Sequence, residues 1–557
     1  MVPMSFEAIF QPDGKRGTFK AGSTVLEAAR RLGVDINSVC GGAGACGKCI
    51  IKIITGETLP PAEPEKKYIS KANLGKGYRL ACLQKITSDM VILVPEESRT
   101  GTQRLQTEGL DTPVELDPIA SERVLGFAAD IGSTKLAGYL LDLSTGEVLG
   151  VSTEMNPQIP YGEDIITRIT NAIRNLKNNQ ILHETLVDGI RKLIKDACNK
   201  AERAPEYIKD TVLVGNTAMQ HFILGIDPHS LSRNPFMPEN VAQRNLPPET
   251  LKLASNSPVY IPPLIAGFVG ADCIAATLAT GLHKAEEMSF LMDIGTNTEI
   301  VVGDKHKLVT CSCASGPAFE GAHIKHGMRA ATGAIEGVWI NPENLEPSIR
   351  TIDNASPIGI CGSGLIDLLA EMLKTGIMDS TGRLCKIDHP RIRQNGSVYE
   401  YVVAWSDKTD ITITQLDIRE LQKGKAAIYS GAYVAMKKLN LAPRDIKHIY
   451  MAGAFGTYID KQSAQTIGMI PEFTQNNIQQ VGNAAGTGAR MMLLSKKARK
   501  EAENIPKQVE YIELATRPIY NQEYLDALMF PHRELKRFPE TVHKLDEHGW
   551  VKGMLHR

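Results

Sequence analysis

The sequence of 557 residues predicts a multidomain protein of mixed α/β and α+β class. Two observations predict it: short strand and turn patterns fill residues 1–96, and a strand–turn pattern near residue 130 recurs near residue 293. A single hydrophobic core stops growing at about 250–300 residues, so a chain of this length divides into domains. We expect a small domain at 1–96, a linker at 97–123, and two related halves of a larger domain at 124–285 and 286–557.

The small domain is expected to be a β-grasp fold. Residues 5–10 predict a strand, 12–14 a turn and 17–20 the return strand. Thr24 and Glu27 have the spacing of a capping box, which predicts a helix that ends near Gly33. Further strands are expected at 50–54 and 91–94. Strand, turn, strand, helix, loop and strand is the order of a β-grasp ferredoxin.

Four cysteines give this domain its chemistry: Cys40, Cys46, Cys49 and Cys82. A loop of small residues with three thiols, completed by one distant thiol, is the arrangement that holds a [2Fe–2S] cluster. Glycines in the loop let the backbone wrap tightly and direct N–H groups at the cluster sulfur atoms. Five residues separate Cys40 from Cys46, where the plant-type pattern has four, so the spacing leaves the reduction potential open.

The other six cysteines are expected to be buried thiols rather than metal ligands. Cys311 and Cys313 are close together, but neither a Cys-x-x-Cys pattern nor a histidine stands at ligand spacing beside them. The remaining four are Cys198, Cys273, Cys361 and Cys385.

Residues 97–123 are polar, contain proline and glycine, and show no usable periodicity. They predict a flexible tether that lets the cluster domain move between an electron donor and an acceptor.

The larger domain is predicted to be a duplicated RNase H-like fold with a cleft between its halves. A strand leads into Asp130-Ile-Gly-Ser-Thr-Lys135 and a second strand follows; Asp293-Ile-Gly-Thr-Asn-Thr-Glu299 repeats this pattern. Each copy is followed by another strand that ends in glycine and opens a helix, at 211–217 and at 448–456. Two such units of three strands with crossover helices are typical of this fold.

The two aspartate loops predict a site for a magnesium-bound triphosphate. Each loop supplies a carboxylate for Mg²⁺ or its water molecules, a glycine for close backbone approach, and hydroxyl and N–H groups for phosphate oxygens. One such loop alone is also a common hairpin turn, but two in equivalent positions of a repeat favour phosphate binding. The candidate residues are Asp130, Gly132, Ser133, Thr134, Lys135, Asp293, Gly295, Thr296 and Asn297.

Two of the side chains around these loops keep alternative roles. Lys135 either contacts a phosphate or is a solvated lysine after a turn. Glu299 either positions an attacking water molecule or a magnesium ligand, or faces solvent from a strand.

The loops resemble the phosphate-1 and phosphate-2 motifs of the acetate and sugar kinase, Hsp70 and actin superfamily. The resemblance implies an actin-like ATPase domain, with Asp130, Asp293 and Glu299 as catalytic residues. Gly453 and Gly456 then resemble the adenosine-side motif, and the stretch 482–488 is a second glycine-rich approach to the nucleotide. Gly215 and Asn216, at the end of a strand, complete the implied nucleotide contacts.

Nearly the whole chain resembles the reductive activators of corrinoid-dependent enzymes. Besides the cysteines and the aspartate loops, the resemblance includes five motifs, which lie at 156–164, 214–219, 314–321, 361–364 and 451–456. It implies an ATP-dependent iron–sulfur oxidoreductase that passes one electron from the [2Fe–2S] cluster to Co(II), regenerating Co(I). The implied cofactors are the cluster, ATP and Mg²⁺. The implied partners are a cobalamin-containing methyl-carrier protein and a low-potential donor (ferredoxin, flavodoxin or a reductase), and activators of this kind often form homodimers.

Three other functions stay open at this point. The first is a small-molecule kinase with an attached redox domain, for which phosphate transfer to an acceptor is the test. The second is an ATP-driven electron donor to another low-potential enzyme, such as a dehydratase. The third is a nucleotide sensor that assembles partners without turning over ATP.

Overall fold

The computed structural model describes residues 5–546 except 13, 35, 39, 41, 96–97, 99–106, 111, 113, 118–123, 163, 254, 256 and 407–408. Much of the predicted linker lies outside the described residues, including residues 97 and 123 at its two ends. The chain forms two compact units, one from residues 1–103 and 157–174, the other from 104–156 and 175–557. Among the described residues, none of the helices combines the length and the apolar character needed to cross a membrane.

The first unit contains a five-stranded sheet in the order β2-β1-β5-β3-β4. Its strands are β1 (Ser5–Gln11), β2 (Lys15–Lys20), β3 (Ile50–Thr55), β4 (Tyr78–Leu80) and β5 (Met90–Leu93). Its helices are α1 (Val25–Arg31), α2 (Glu63–Tyr68), α3 (Lys71–Gly75) and, from residues 157–174, α4 (Ile165–Ile173). β1 pairs antiparallel with β2 and parallel with β5. This topology confirms the predicted β-grasp domain.

Helix α1 begins where the capping box predicts. The Glu27 N–H donates to Thr24 Oγ1 at 3.2 Å, and the Thr24 N–H donates to Glu27 Oε2 at 2.9 Å. Val25 and Leu26 on this helix pack into the core under the sheet, which places the C-terminal turn of the helix beside the cysteine loop.

The second unit contains two six-stranded sheets of the same design. The first sheet and its helices are β6 (Leu125–Ile131), β7 (Lys135–Asp142), β8 (Val148–Met155), β9 (Ile208–Gly215), β10 (Arg244–Leu246), β11 (Val259–Ile261), α5 (Leu176–Lys200), α6 (Thr217–Leu224), α7 (Pro248–Leu251) and α8 (Ala271–Thr280). Strands β6, β7 and β8 form an antiparallel meander, and β9 runs parallel to β6. The sheet order is β10-β11-β9-β6-β7-β8.

The second half of this unit repeats the pattern and adds two small three-stranded sheets. Its strands are β12 (Ser289–Ile294), β13 (Thr298–Gly303), β14 (Leu308–Cys313), β15 (Ala334–Ile340), β16 (Pro347–Thr351), β17 (Gly359–Ile360), β18 (Ile392–Asn395), β19 (Val398–Ala404), β20 (Ile411–Thr414), β21 (His448–Ala452), β22 (Ile478–Gly482) and β23 (Val509–Tyr511). Its helices are α9 (Gly362–Lys374), α10 (Gln415–Lys438), α11 (Gly453–Gly456), α12 (Lys461–Thr466), α13 (Ala484–Leu494), α14 (Lys496–Gln508), α15 (Pro518–Ala527) and α16 (Pro539–Asp546).

The large sheet of this half has the order β22-β21-β12-β13-β14-β23. Strands β12, β13 and β14 form an antiparallel meander, and β21 runs parallel to β12. In each half, the first strand and its parallel neighbour therefore end at the same edge of the sheet. The duplicated RNase H-like fold is confirmed, and its equivalent strand ends carry the two aspartate loops.

Part of the predicted flexible linker is packed against the second unit. The Tyr139 hydroxyl donates to the carbonyl of Thr107 at 2.9 Å, and the Asn483 N–H donates to the carbonyl of Glu108 at 2.8 Å. Leu110, Val114 and Leu116 pack against its core. We call the described residues of this stretch, 107–110, 112 and 114–117, the strap. The expectation of a flexible tether does not hold for the strap, because its backbone and apolar side chains have partners in the folded domain.

Replacing Gly109 by Ala should detach the strap. A Cβ at this position would lie 2.3 Å from Thr487 Oγ1 and 2.6 Å from the Asn483 carbonyl oxygen, so the backbone must move away. The bond to Glu108 is then lost, which costs about 1 kcal/mol. We expect faster limited proteolysis within the strap and a lower melting temperature. Gly75→Ala is the matched control, since nothing lies within 4 Å of its added Cβ; equal protection of the strap in both variants would contradict the prediction.

Candidate functional site

The four predicted cluster ligands come together as two pairs of thiols. Cys49 Sγ lies 3.5 Å from Cys82 Sγ, and the Cys40 and Cys46 thiols are hydrogen-bonded to each other. Cys46, Cys49 and Cys82 are buried, whereas Cys40 is half-buried. Within the described residues no group of three or more His, Cys, Asp or Glu side chains is placed to hold a single metal ion. Two adjacent pairs of thiols fit a two-iron core, in which each iron takes two cysteines.

The loop between these cysteines needs its glycines. Gly42, Gly44 and Gly47 have φ angles of +105°, +71° and +68°, which other residues rarely adopt. A Cβ on Gly47 would lie 2.5 Å from the Tyr68 ring. The Tyr68 hydroxyl donates a hydrogen bond to the carbonyl of Ala45, so this side chain fixes the loop from outside.

Backbone N–H groups point at the sulfur atoms, as cluster binding requires. The amides of Gly42, Ala45 and Cys46 donate to Cys40, and the amide of Gly44 donates to Cys82. The Cys46 thiol lowers the pKa of Cys40 to about 4, and the Cys49 thiol lowers the pKa of Cys82. One thiol in each pair is therefore stabilised as the thiolate, the form that binds iron.

In the second unit, the two aspartate loops face each other across a cleft. Thr134 Oγ1 and Thr296 Oγ1, one from each loop, are 3.3 Å apart. The predicted residues that line the cleft are Asp130, Gly132, Ser133, Thr134, Lys135, Asn216, Asp293, Gly295, Thr296, Asn297, Glu299 and Gly453. Gly215 and Gly456 are not among its described lining residues. Twelve of the fourteen candidates in this domain are thus brought to one place.

The floor of the cleft carries four carboxyl groups, of which Asp272 was not predicted. Burial raises the pKa of Asp130 to about 8, and the charges of Asp272 and Asp293 add to this effect. Burial likewise raises the pKa of Asp293 to about 7 and that of Asp272 to about 6, and it raises the pKa of Glu299. Carboxylates this close repel one another, so the site is suited to a bound cation.

Neighbouring polar groups hold the two loops in shape. The Asn156 side chain donates to the Gly132 carbonyl and the Asn216 side chain donates to Ser133 Oγ, both at 2.8 Å. In the second loop, Ser315 Oγ donates to the Gly295 carbonyl at 3.0 Å. These bonds preorganise the hydroxyl and N–H groups that face the cleft.

Lys135 and Gly453 occupy positions that favour their predicted roles. Lys135 lines the cleft rather than the outer surface, and burial lowers its pKa. Gly453 has a φ of +87°, and a Cβ there would lie 2.6 Å from Asp293 Oδ1. A side chain at this position would therefore push against the carboxylate. Glu299 lies in β13, where Ser312 Oγ donates to it at 3.1 Å, so it faces the cleft and not bulk solvent.

Two further cleft residues are Asp272, which was not predicted, and Asn483, which lies in the predicted glycine-rich stretch 482–488 but was not singled out. Asp272 lies in the first turn of α8, and Asn483 caps α13 and donates from Nδ2 to Asp130 Oδ2 at 3.1 Å. The sequence signal for Asp272 was Gly270-Ala-Asp272 at the start of a helix of small residues. A Cβ on Gly270 would lie 2.5 Å from Asn216 Cα, so this glycine lets α8 approach the first loop.

The six remaining cysteines are all buried, as predicted, and all ten cysteines are free of disulfide bonds. Cys311 and Cys313 lie in β14 under helix α10, where the Cys311 thiol contacts the Gly431 carbonyl.

Family models match almost the whole chain in three segments. Residues 10–87 match the 2Fe-2S iron-sulfur cluster binding domain, residues 125–285 the RACo middle region, and residues 287–542 the C-terminal domain of RACo, described as the ASKHA domain. An iron–sulfur domain and an ASKHA ATPase domain on one chain define an ATP-dependent iron–sulfur oxidoreductase.

Individual relatives identify the family. The chain is 30% identical to the corrinoid activation enzyme RamQ of Eubacterium limosum, over 91% of this chain and 96% of that protein. It is 26% identical to the [Co(II) methylated amine-specific corrinoid protein] reductase of Methanosarcina barkeri, over 73% and 77%. The solved reductive activator for corrinoid, iron-sulfur protein superposes with a TM-score of 0.71 at 32% identity, covering 96% of this chain and 100% of that one. The chain belongs to the family of reductive activators of corrinoid proteins.

Proposed function

We propose that this protein reduces the Co(II) form of a corrinoid methyl-carrier protein to Co(I) in an ATP-dependent reaction. One electron leaves the [2Fe–2S] domain and enters the cobalt of the partner protein, which is the substrate. One observation supports the proposal above all. The same chain has paired thiols that can hold a cluster and a cleft with carboxyl groups on its floor. The printed functions of the relatives agree with this assignment.

The thiols of this chain determine how the cluster is held and where its electron leaves. When bound, the cluster supplies a one-electron couple at low potential. Cys46, Cys49 and Cys82 are buried, and Cys40, which is half-buried, marks the side nearest to solvent. We propose that this side faces the corrinoid partner and, at another time, the low-potential donor that resupplies the electron.

The cleft is proposed to bind ATP with Mg²⁺. Asp130, Asp272 and Asp293 would hold Mg²⁺ mainly through its water molecules, because Mg²⁺ keeps several waters and binds few carboxylates directly. Thr134 and Thr296 place hydroxyl groups from opposite loops 3.3 Å apart, and both would donate to phosphate oxygens. In this proposal Glu299 orients the attacking water molecule. Gly453 contacts the adenosine side of the nucleotide.

The free energy of nucleotide binding is large enough to assist an unfavourable electron transfer. A gap of about 100 mV for one electron corresponds to about 2.3 kcal/mol. A ligand held at about 100 times its dissociation constant shifts a conformational equilibrium by up to about 2.7 kcal/mol. Closure of the two halves around Mg·ATP therefore has enough free energy to change the face presented to the corrinoid protein. We place the reaction in the reducing cytoplasm, which the ten free thiols favour.

The test is to mix the dithionite-reduced full-length protein anaerobically with a Co(II) methyl-carrier protein and to follow the Co(I) absorbance band. We expect Co(I) to form with Mg·ATP and to form at least about tenfold more slowly without it. Failure to form Co(I) with carriers from methylamine, O-demethylase and carbonyl-branch systems would overturn the proposal. Equal rates with and without nucleotide would overturn its ATP-dependent part.

The affinity for Mg²⁺ should rise with pH between about 6 and 8. The pKa values of Asp130 and Asp293, about 8 and about 7, lie above the ordinary value, so the folded, metal-free protein binds more protons than the unfolded chain in this range. Its free energy of unfolding therefore falls as pH rises, and Mg²⁺ restores it by replacing the protons. Thermal melts at pH 6.5, 7.0, 7.5 and 8.0, with and without Mg·ATP, measure both trends.

Removing the carboxyl of Asp130 provides the control for this titration. In Asp130→Asn the pH dependence of the metal-free melting temperature should become shallower. A wild-type protein whose stabilisation by Mg·ATP is independent of pH would contradict the assignment of the metal to these carboxylates.

A further inference from the structure

The helix beside the cysteine loop carries an arginine with no hydrogen-bond partner for two of its nitrogens. Arg30, in the last turn of α1, has Nε and Nη2 buried from solvent, and neither atom has a partner among the described residues. Exposed arginines rarely lack partners because water supplies them. A buried guanidinium with unpaired donors is costly unless an anion lies close to it.

Among the described residues, the thiols of Cys49 and Cys82 lie near this guanidinium. Arg30 Nη2 lies 4.0 Å from the Cβ position of residue 42, and Cys82 Cβ lies at the same distance from that point. Burial lowers the pKa of Arg30, and the neighbours that oppose this shift are, in decreasing order, Tyr161, Glu27, Cys49 and Cys82. The guanidinium keeps its positive charge in proteins, so a fixed charge is held beside one thiol pair.

An aromatic ring also lies beside this guanidinium. The Arg30 guanidinium carbon lies 5.9 Å from the centre of the Tyr161 ring, a cation–π distance within the first unit. Covering one face by a ring excludes water and keeps the local dielectric constant low, so the charge acts on its surroundings with little screening. Of the two unpaired nitrogens, Nη2 is the one that lies near the cysteine loop.

We propose that Arg30 raises the reduction potential of the cluster by stabilising the negative charge that the cluster gains on reduction. The inference rests on the proposed function in one respect, since it assumes a cluster on the four cysteines. Positive charge and hydrogen-bond donors near the sulfur atoms are the means by which proteins tune such potentials. Arg30 is thus a positioning residue, which acts through its charge and does not carry the electron itself. The reduction potential that it sets determines how unfavourable the transfer to cobalt is.

The experiment is a redox titration of the cluster in the full-length protein, followed by visible absorbance, without nucleotide or corrinoid protein. In Arg30→Met, the ratio of reduced to oxidised cluster at a fixed applied potential should fall about tenfold, which corresponds to about 59 mV for one electron. Arg30→Lys should keep most of the wild-type potential, because it retains the charge. Arg31→Met is the matched control, since Arg31 is the next residue of the same turn and is exposed.

Iron and sulfide content is measured first, so that the two hypotheses fail differently. A wild-type protein without iron and sulfide after anaerobic reconstitution overturns the proposed function itself. A variant with a full cluster and the wild-type potential overturns the role of Arg30, as does an equal shift in Arg31→Met. If Arg30→Met does not retain its cluster, Arg30→Gln is titrated instead: it keeps a polar side chain without the charge, and an unchanged potential there also overturns the proposal.

Discussion

Replacing Asp130 by Asn should abolish ATP-dependent reduction of the corrinoid protein while leaving the visible spectrum of the cluster intact. Asp130 lies at the floor of the cleft with Asp272 and Asp293, and its carboxylate is part of the proposed magnesium site. An amide removes a ligand charge while keeping the shape of the side chain. We expect the Mg·ATP-dependent rate of Co(I) formation to fall about 100-fold or more, as for other groups that stabilise phosphoryl charge.

This loss should occur without loss of folding. Fewer carboxyl groups repel one another in the variant, and the metal-free protein should melt at the wild-type temperature or above it. Asp293→Asn should behave in the same way, because Asp293 holds the equivalent position in the second half. Asp188→Asn is the matched control: its side chain is 71% exposed and pairs with Arg191 on the surface. Wild-type ATP dependence in both cleft variants would exclude the coupling.

Local sequence patterns predicted those parts of the structure whose geometry is set by adjacent residues. The capping box of Thr24 and Glu27 fixes the start of α1 within four residues, and each aspartate loop lies between two strands that pair with each other. The cysteine loop is similar, since its glycines and thiols lie within ten positions of one another. Repetition then supplied the long-range information, because two copies of one pattern imply two related sheets.

Parts of the cleft that depend on distant contacts could not be predicted. Asp272 acquires its role because Gly270 lets α8 approach Asn216, a contact between segments more than fifty residues apart. The amide of Asn483 reaches Asp130 across 353 positions of sequence. No pattern within either segment encodes such a bond, because it exists only once both sheets have formed.

The strap shows why a polar stretch was misread. Its sequence contains proline, glycine and several carboxylates, which favour a tether, but Leu110, Val114 and Leu116 supply enough apolar surface to dock. Three side chains without helical or strand periodicity give no signal of a regular element. The backbone of the strap bonds to Asn483 and Leu494, which lie more than 350 residues away in the sequence.

Replacing Cys46 by Ser should bleach the protein and stop electron transfer. Cys46 is buried, pairs with Cys40, and receives an N–H bond from Lys48. A serine hydroxyl is far less acidic than a thiol, so it does not supply the anionic ligand that iron needs in this pocket. We expect the visible absorbance of the cluster to be lost and the rate of Co(II) reduction to fall at least about 100-fold.

The nucleotide cleft should be unaffected by this change, because its lining residues belong to the second unit. Binding of Mg·ATP in Cys46→Ser should match the wild type, which separates loss of the cluster from general misfolding. Cys385→Ser is the matched control, since Cys385 is equally buried but lies outside the four ligands, and it should keep both colour and activity. If Cys46→Ser stayed coloured and reduced Co(II) at the wild-type rate, the electron would have to come from elsewhere in the chain, and the two thiol pairs could not be the cluster site.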